Sequence, residues 1–182
     1  MKKHNLAFID TETTGLDVDK HELIEIGCVI AEQDWSGKTP VFTHVEEFDL
    51  KIKPIDIQNA DAQALRINGY NEADWLFAYD LADAMDIFRK KTKDCIMVSH
   101  NLSFDAAFID KAFKKAGVKN EMYYPRIDTI SIAFAKLHNK DDLRYSLGAL
   151  CQHFGIENKS AHTALADTVA LFEVYKKIMA IK

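Results

Sequence analysis

Three strand-like segments follow one another closely near the start of the chain, and their order constrains the fold more than any other feature. Residues 6–9 form a short apolar run that is typical of a strand buried on both faces. Residues 23–30 are apolar at most positions, and residues 41–52 are rich in β-branched and aromatic side chains and end before Pro54. The short gaps favour antiparallel hairpins, because parallel neighbours need a longer crossover.

Beyond residue 60 the pattern alternates between helix and strand. The longest predicted helix spans residues 71–91 and places Leu76 and Phe77 on its apolar stripe. Four other helices are predicted: residues 61–67, Ser103 to Gly117, Ser146 to Gly155, and Ala161 onward, with Ser103 and Ser146 as N-caps. Two further strands are predicted over residues 95–98 and 126–129. This order predicts an α/β fold of the ribonuclease H type, in which a mixed five-stranded sheet of three antiparallel strands plus parallel strands is flanked by helices.

Composition indicates one domain and leaves the partner open. A chain of 182 residues with 48% hydrophobic content supports one core, so a single domain over residues 1–182 is predicted. The net charge of −5 argues weakly against nucleic acid, because phosphate contacts normally come from a basic face. Four carboxylates in a metal site would account for most of that charge, and a polyanion can bind through the metal.

The cysteines and the first residues bear on the compartment. Cys28, Cys95 and Cys151 are an odd number, lie far apart, and are expected to be buried free thiols in a reducing compartment. The apolar run over residues 6–9 is too short for a signal peptide or a membrane span. A cytoplasmic protein without a membrane partner is therefore expected.

Two carboxylates, Asp10 and Glu12, follow the first apolar run with one residue between them. Side chains at positions i and i+2 of a strand point to the same side, so these two converge. Close carboxylates repel each other unless a cation neutralises them, and hard oxygen ligands suit Mg²⁺ or Mn²⁺. For the triplet alone, an acidic strand end that leads into a turn is the simpler explanation.

Two later aspartates are also open to two interpretations. Asp105 falls in the first turn of a predicted helix, where the helix dipole favours an acid even without a ligand. Asp167 lies five residues after His162, and on one continuous helix the two would be roughly 140° apart. They converge only if His162 precedes the helix and Asp167 lies inside it. The alternative is a histidine near the helix cap and an exposed aspartate.

Taken together and in this order, the motifs resemble those of the DEDDh or DnaQ-like 3′→5′ exonucleases, which include polymerase proofreading subunits, ribonuclease T and oligoribonuclease. The first motif is matched by FIDTETTGL at residues 8–16, and the second by HNLSFD at residues 100–105. The third, H-x-A-x-x-D, is matched by His162, Ala164 and Asp167. Ser99 stands where the family often has glycine or alanine, and no role in the chemistry is expected for it.

The resemblance implies a site with two divalent cations, Mg²⁺ or Mn²⁺, and a histidine as general base. The implied catalytic residues are His162 as the base and four metal ligands: Asp10, Glu12, Asp105 and Asp167. Leu16 and Phe104 are candidates for packing against the terminal bases, although Phe104 fits a core aromatic equally well. Thr13, Gly15 and Asn101 are candidates for contacts with the terminal sugar.

The implied reaction is release of nucleoside 5′-monophosphates from the 3′ end of DNA, at single-stranded or frayed ends. The alternative within the family is an RNA-directed enzyme of the oligoribonuclease or ribonuclease T type, because no residue settles how a 2′-hydroxyl is treated. Two other classes fit less well. A non-catalytic binding module would be expected to lack one of the five residues, and a metal-dependent phosphotransferase would have aspartate where Glu12 stands.

Expectations about protein partners are few. The chain ends at Lys182 soon after its last predicted helix, with no segment that resembles the tether of a proofreading subunit, so stable attachment to a polymerase is not expected. A homodimer is left open. Four lysines form a basic face on the helix after Asp105, and a solvated surface is preferred there over a contact with the nucleic-acid backbone: Lys111, Lys114, Lys115 and Lys119.

Overall fold

The computed structural model describes residues 4–140, 142–158 and 163–181. These ranges contain five strands and six α-helices, with a short 3-10 turn at Ile57–Asn59. The strands are β1 (Leu6–Thr13), β2 (Leu23–Asp34), β3 (Val41–Lys51), β4 (Ile96–Ser99) and β5 (Tyr123–Asp128). The helices are α1 (Ala62–Ile67), α2 (Leu81–Lys91), α3 (Leu102–Ala116), α4 (Thr129–Leu137), α5 (Leu147–Phe154) and α6 (Ala164–Met179).

The described strands form one mixed sheet in the order β3-β2-β1-β4-β5. β1 pairs antiparallel with β2, and β2 pairs antiparallel with β3. β4 pairs in parallel with β1, and β5 in parallel with β4. The predicted fold class is therefore confirmed, and β1 lies at the centre of the sheet.

The two faces of β1 pack against different helices. Ala7 and Ile9 belong to a buried cluster with residues of α2 and α3, whereas Phe8 packs against α6 on the opposite face. Because side chains alternate along a strand, Asp10 and Glu12 continue the Phe8 face. The acids at the end of β1 thus lie on the same side of the sheet as α6.

A glycine in β2 lets the first turn of α6 lie directly on the sheet. A Cβ atom added to Gly27 would lie 2.2 Å from the carbonyl carbon and oxygen of Ala164, so no larger side chain fits there. Gly27 is the register partner of Asp10 in β1. The close approach at Gly27 therefore places the start of α6 next to the acidic end of β1.

The predicted helix over residues 71–91 is wrong in its first half. Residues 72–77 form turns, and the helix α2 begins only at Leu81. The Tyr79 backbone exchanges two hydrogen bonds with the end of β3, to Lys51 and from Lys53, both at 2.9 Å. A residue paired in this way cannot continue a helix. Leu76 and Phe77 are consequently 72% and 91% exposed and do not form a buried stripe.

The N-cap of α3 is Asn101 and not Ser103, which lies inside the helix. Asn101 has a left-handed backbone conformation with φ of 66°, which asparagine tolerates better than most residues. The Ser103 hydroxyl donates to the Asn101 side chain at 3.1 Å. Asp105 remains in the first turn of α3, and the predicted end at Gly117 is confirmed.

The remaining general expectations concern thiols and membrane spans. Cys28, Cys95 and Cys151 are all buried and free of disulfide bonds, as predicted. Of the helices in the described ranges, none combines the length and apolar character needed to cross a membrane.

Candidate metal and catalytic site

Three carboxylates converge where β1 ends and α6 begins. Asp10, Glu12 and Asp167 each offer one oxygen, and these oxygens lie within 4.8 Å of one another. All three side chains are half-buried. Asp167 is held inside α6, because its backbone N–H donates to the Thr163 carbonyl at 3.0 Å. Oxygen donors in such an arrangement suit a hard divalent cation.

The electrostatics of this cluster indicate that it is built for a counter-charge. Burial raises the pKa of Asp10 well above its ordinary value, and the charges of Asp105 and Glu12 raise it further. Burial, followed by the charges of Glu25 and Asp167, raises the pKa of Glu12 to about 8. Carboxyls with raised pKa values are stabilised as anions when a cation binds between them. The residues present therefore fit a divalent metal ion.

Glu25 of β2 is a fourth acid beside this cluster, and its place there was not predicted from the sequence. It is the register partner of Glu12 and is only 4% exposed. Burial, followed by the nearby Asp49, raises the pKa of Glu25 to about 7. An acid within an apolar strand was the available signal, but the register that sets it opposite Glu12 could not be read from the sequence.

Asp105 lies in the first turn of α3, on the other face of the sheet, and is not one of the three acids whose oxygens converge, although its charge raises the pKa of Asp10. It is 3% exposed and accepts a hydrogen bond from the Thr11 hydroxyl at 2.8 Å and another from the Ser99 hydroxyl. Burial raises the pKa of Asp105 to about 6, while these two hydroxyls lower it. The Ser99 hydroxyl therefore contacts a predicted metal ligand, a contact that the sequence did not indicate.

Asn158 is a further side chain at the site that sequence reasoning missed. Its amide donates a hydrogen bond to the Asp167 carboxylate. No local pattern around Asn158 indicated this contact, which joins side chains nine positions apart in the sequence.

The predicted general base lies outside the described residues. His162 belongs to the range 159–162, which the structure does not describe. α6 begins at Ala164 with Thr163 as its N-cap, so Asp167 lies inside the helix and His162 precedes its first residue in the sequence. The condition for convergence is met for Asp167, and the role of His162 stays a prediction.

The segment after Glu12 is an ordered turn that displays Leu16. The Thr13 hydroxyl donates to the Gly15 carbonyl at 2.8 Å, and the Asn68 amide donates to the Thr13 carbonyl at 3.0 Å. A Cβ atom on Gly15 would lie 2.5 Å from the His21 ring, so the turn requires glycine. Leu16 is 79% exposed at the surface of this turn. The placement suits the predicted contact with a terminal base.

The second pair of predicted substrate contacts lies at the start of α3. Asn101 is exposed at the helix N-cap. Phe104 is half-buried, packs against the core, and has its ring centroid 5.0 Å from that of Phe108. Phe104 thus belongs to the core and also has an accessible part, so both interpretations of this residue are compatible with its position.

A comparison of the sequence with protein families agrees with this geometry. The family model RNase_T, described as an exonuclease, matches residues 7–175. Ribonuclease T of Shewanella frigidimarina is 30% identical over an alignment 181 residues long, which covers 92% of this chain and 78% of that protein. The 3′-5′ exonuclease DinG of Staphylococcus epidermidis is 31% identical over 161 residues, which cover 88% of this chain but only 16% of that protein.

Solved structures show the same fold at lower identity. A structure of exonuclease I superimposes with a TM-score of 0.81 and 16% identity, covering 96% of this chain. Escherichia coli exonuclease I in complex with an oligonucleotide gives a TM-score of 0.79 and 18% identity, covering 98% of this chain. The chain spans about two fifths of these exonuclease I chains, 40% and 42% of their lengths.

The family match covers most of the chain and includes all three clustered acids. The described fold superimposes on about two fifths of the exonuclease I chain, 40% of its length. From its sequence and its fold, the chain belongs to the RNase_T exonuclease family, the DEDDh or DnaQ-like group of metal-dependent 3′→5′ exonucleases.

Proposed function

We propose that this protein releases nucleoside 5′-monophosphates one at a time from the 3′ end of single-stranded or frayed DNA. The observation that carries the proposal is the convergence of Asp10, Glu12 and Asp167 within 4.8 Å at the end of the central strand. Single-stranded DNA is preferred as substrate because exonuclease I, which shares the fold over nearly the whole chain, has been solved in complex with it.

The acids at the site would hold two divalent cations, Mg²⁺ or Mn²⁺, with Asp105 completing the ligand set from the α3 side. Bound cations of this kind supply Lewis acidity, which makes water a better nucleophile and stabilises the charge that develops around the scissile phosphate. The protein contributes the fixed positions of the ligands. Gly27 permits the close approach of α6, and the Asn158 amide orients the Asp167 carboxylate.

His162 is the proposed general base that takes the proton from the attacking water. An imidazole with an ordinary pKa of ~6.5 can accept a proton at neutral pH. The support for this role is the family's third motif, which His162, Ala164 and Asp167 match. His162 also lies only five residues before Asp167, which is fixed in the first turn of α6.

The terminal nucleotide is proposed to bind between the Leu16 turn and the start of α3. Leu16 offers an exposed apolar side chain and Phe104 an accessible part of an aromatic ring, and both surfaces suit a base. The backbone around Thr13 and Gly15 and the exposed side chain of Asn101 supply polar groups for the terminal sugar. Contacts with the sugar do not distinguish one base from another, so any terminal base would be accepted.

An RNA substrate is the second candidate, and one observation favours it. Ribonuclease T relatives cover 92% of this chain at 30% identity, which is closer in sequence than the exonuclease I structures. A 2′-hydroxyl on the terminal sugar is both a donor and an acceptor, so the contacts of Asn101 and the Thr13 turn would decide which sugar is preferred.

The decisive experiment digests three substrates side by side in Mg²⁺ and in Mn²⁺: single-stranded DNA, blunt duplex DNA and a short RNA, each labelled at its 5′ end. The labelled strand should shorten stepwise from its 3′ end, fastest for single-stranded DNA and slowest for the duplex. Asp167→Ala is the inactive control. Faster degradation of RNA than of DNA would replace the proposed substrate with RNA, and products cut internally would overturn exonuclease action.

A further inference from the structure

The turn that displays Leu16 is part of a closed loop over residues 14–22, called the Leu16 loop below. Its two ends are joined by reciprocal hydrogen bonds, because the Thr14 N–H donates to the Glu22 carbonyl and the Glu22 N–H donates to the Thr14 hydroxyl, both at 2.8 Å. Within the loop, the His21 N–H donates to the Asp17 carbonyl at 2.8 Å. The loop therefore has a defined internal conformation, but its orientation relative to the rest of the site needs a tertiary contact.

Lys111 of α3 supplies such a contact. Its ammonium group donates to the Val18 carbonyl and to the His21 carbonyl, the latter at 2.9 Å. The side chain is half-buried between α3 and the loop. Hydrogen bonds from a charged donor are stronger than neutral ones, and two of them here reach the loop from one atom. The expectation of a solvated surface is therefore wrong for Lys111.

The neighbouring lysines differ in their contacts. Lys115 forms an ion pair with Glu22 at 3.0 Å, which adds a second link to the base of the loop. Lys114 is exposed on α3. Lys111 and Lys114 therefore carry the same charge on the same helix, three residues apart, in different surroundings.

We propose that Lys111 is a positioning residue that fixes the Leu16 loop against α3 and so sets the geometry in which the terminal nucleotide is bound. The proposal rests on the proposed function, because it takes Leu16 and Phe104 as the two sides of that binding site. α3 carries Phe104 near its start and Lys111 two turns later, so a single rigid helix links both sides. A loop that is already fixed loses less conformational entropy when substrate binds.

This role predicts an effect on substrate binding and not on the chemical step. Lys111→Met keeps most of the aliphatic stem and removes the donor. Its KM for a single-stranded oligodeoxynucleotide should rise about tenfold, with kcat within about twofold of the wild type. Lys114→Met, the matched control for charge and helix, should leave both constants unchanged. Lys111→Arg, which keeps a charged donor, should recover much of the lost binding.

Amide hydrogen exchange gives a second measurement that does not depend on activity. The His21 and Glu22 amides should exchange faster in Lys111→Met than in the wild type, and Lys114→Met should match the wild type. Unchanged exchange of these two amides would show that Lys111 does not hold the Leu16 loop. Faster exchange with an unchanged KM would overturn the role of Lys111 in substrate binding. An equal rise of KM in both methionine variants would assign the effect to charge alone.

If the wild type degrades no nucleic acid, the proposed function and the role of Lys111 in substrate binding fail together. Amide exchange still decides in that case whether Lys111 holds the loop.

Discussion

Acids from both faces of the sheet lie near the end of β1, and each face supports its acids in a different way. On the α6 face, Asp10, Glu12 and Asp167 bring their oxygens together within 4.8 Å. On the α3 face, Asp105 accepts hydrogen bonds from the hydroxyls of Thr11 and Ser99. One face gathers like charges, and the other surrounds a single charge with donors.

The pKa values of Glu12 and Asp105 reflect this difference between the two faces. Burial raises the pKa of Glu12 to about 8 but that of Asp105 only to about 6, although Asp105 is the more deeply buried side chain. The hydroxyls of Thr11 and Ser99 offset part of the desolvation at Asp105. At neutral pH the α3 face therefore keeps its anion with the protein's own donors, whereas the α6 face depends on a cation.

The largest expected effect follows from removing a carboxylate of the α6 face. Asp10→Asn keeps the shape of the side chain but lowers the charge of the cluster, and nucleotide release should fall by more than about 10³-fold, since a single lost oxyanion donor already costs about 10²–10³-fold. The fold should remain intact, because the substitution removes a repelling charge. Asp83→Asn, at an exposed acid of α2, is the control. Activity within tenfold of the wild type would remove Asp10 from the site.

The next effect concerns the proposed proton acceptor, His162. His162→Ala should lower turnover by about 10²–10⁴-fold, the usual contribution of a general base. Binding of Mn²⁺, measured by calorimetry, should be retained, because the four proposed ligands are unchanged. A decrease in turnover of less than threefold would assign the base to another group.

A smaller effect is expected on the α3 face. Thr11→Val and Ser99→Ala each remove one donor to Asp105, so the pKa of Asp105 should rise and more of it should be protonated in mildly acidic solution. Turnover should fall about 10–100-fold, the range seen when outer-shell partners of metal ligands are lost. The loss should be larger at pH 6.5 than at pH 8.5, which a pH–rate profile would show.

Thr92→Val is the matched control for these variants. Thr92 is equally buried, but its hydroxyl donates to the Phe88 carbonyl within the α2 region, at 2.8 Å. Its pH–rate profile should overlay that of the wild type. Parallel profiles for all three variants would mean that the hydroxyls of Thr11 and Ser99 do not set the ionisation of Asp105.

The two faces also differ in how far the sequence predicted them. The convergence of Asp10 and Glu12 follows from strand geometry, which is local, and the order of the motifs placed Asp167 with them. The donors to Asp105 come from two strands, and a hydroxyl in an apolar strand carries no local signal of its partner. Glu25 was missed for the same reason, since only the register of β1 and β2 sets it opposite Glu12.

The segment between β3 and α2 shows that the fold, too, depends on contacts that the local sequence does not indicate. Its apolar residues have helical spacing, so a helix over residues 71–91 was a reasonable prediction from local pattern. The backbone pairing of Tyr79 with the end of β3 is a contact between distant parts of the chain, and it overrides the helical preference. The predicted fold class is nevertheless confirmed, because it depends on the order of the elements and not on their boundaries.

The smallest expected effect is on the stability of the protein without metal. A carboxyl whose pKa is higher in the folded than in the unfolded chain stabilises the fold at low pH, and this contribution is lost as the pH rises through the folded pKa. For Glu12 the loss accumulates between its ordinary pKa of 4.5 and about 8, and for Asp105 between 3.8 and about 6. In EDTA the melting temperature should therefore still fall between pH 6 and pH 8, by roughly 4 °C for each ~1–2 kcal/mol lost, and Mn²⁺ should reverse the fall. Glu12→Gln should flatten the dependence in this window, whereas Asp105→Asn should change it mainly below pH 6. Circular dichroism melts of the three proteins would measure this, and an equal flattening by both substitutions between pH 6 and pH 8 would show that the two faces do not differ in how they hold their charge.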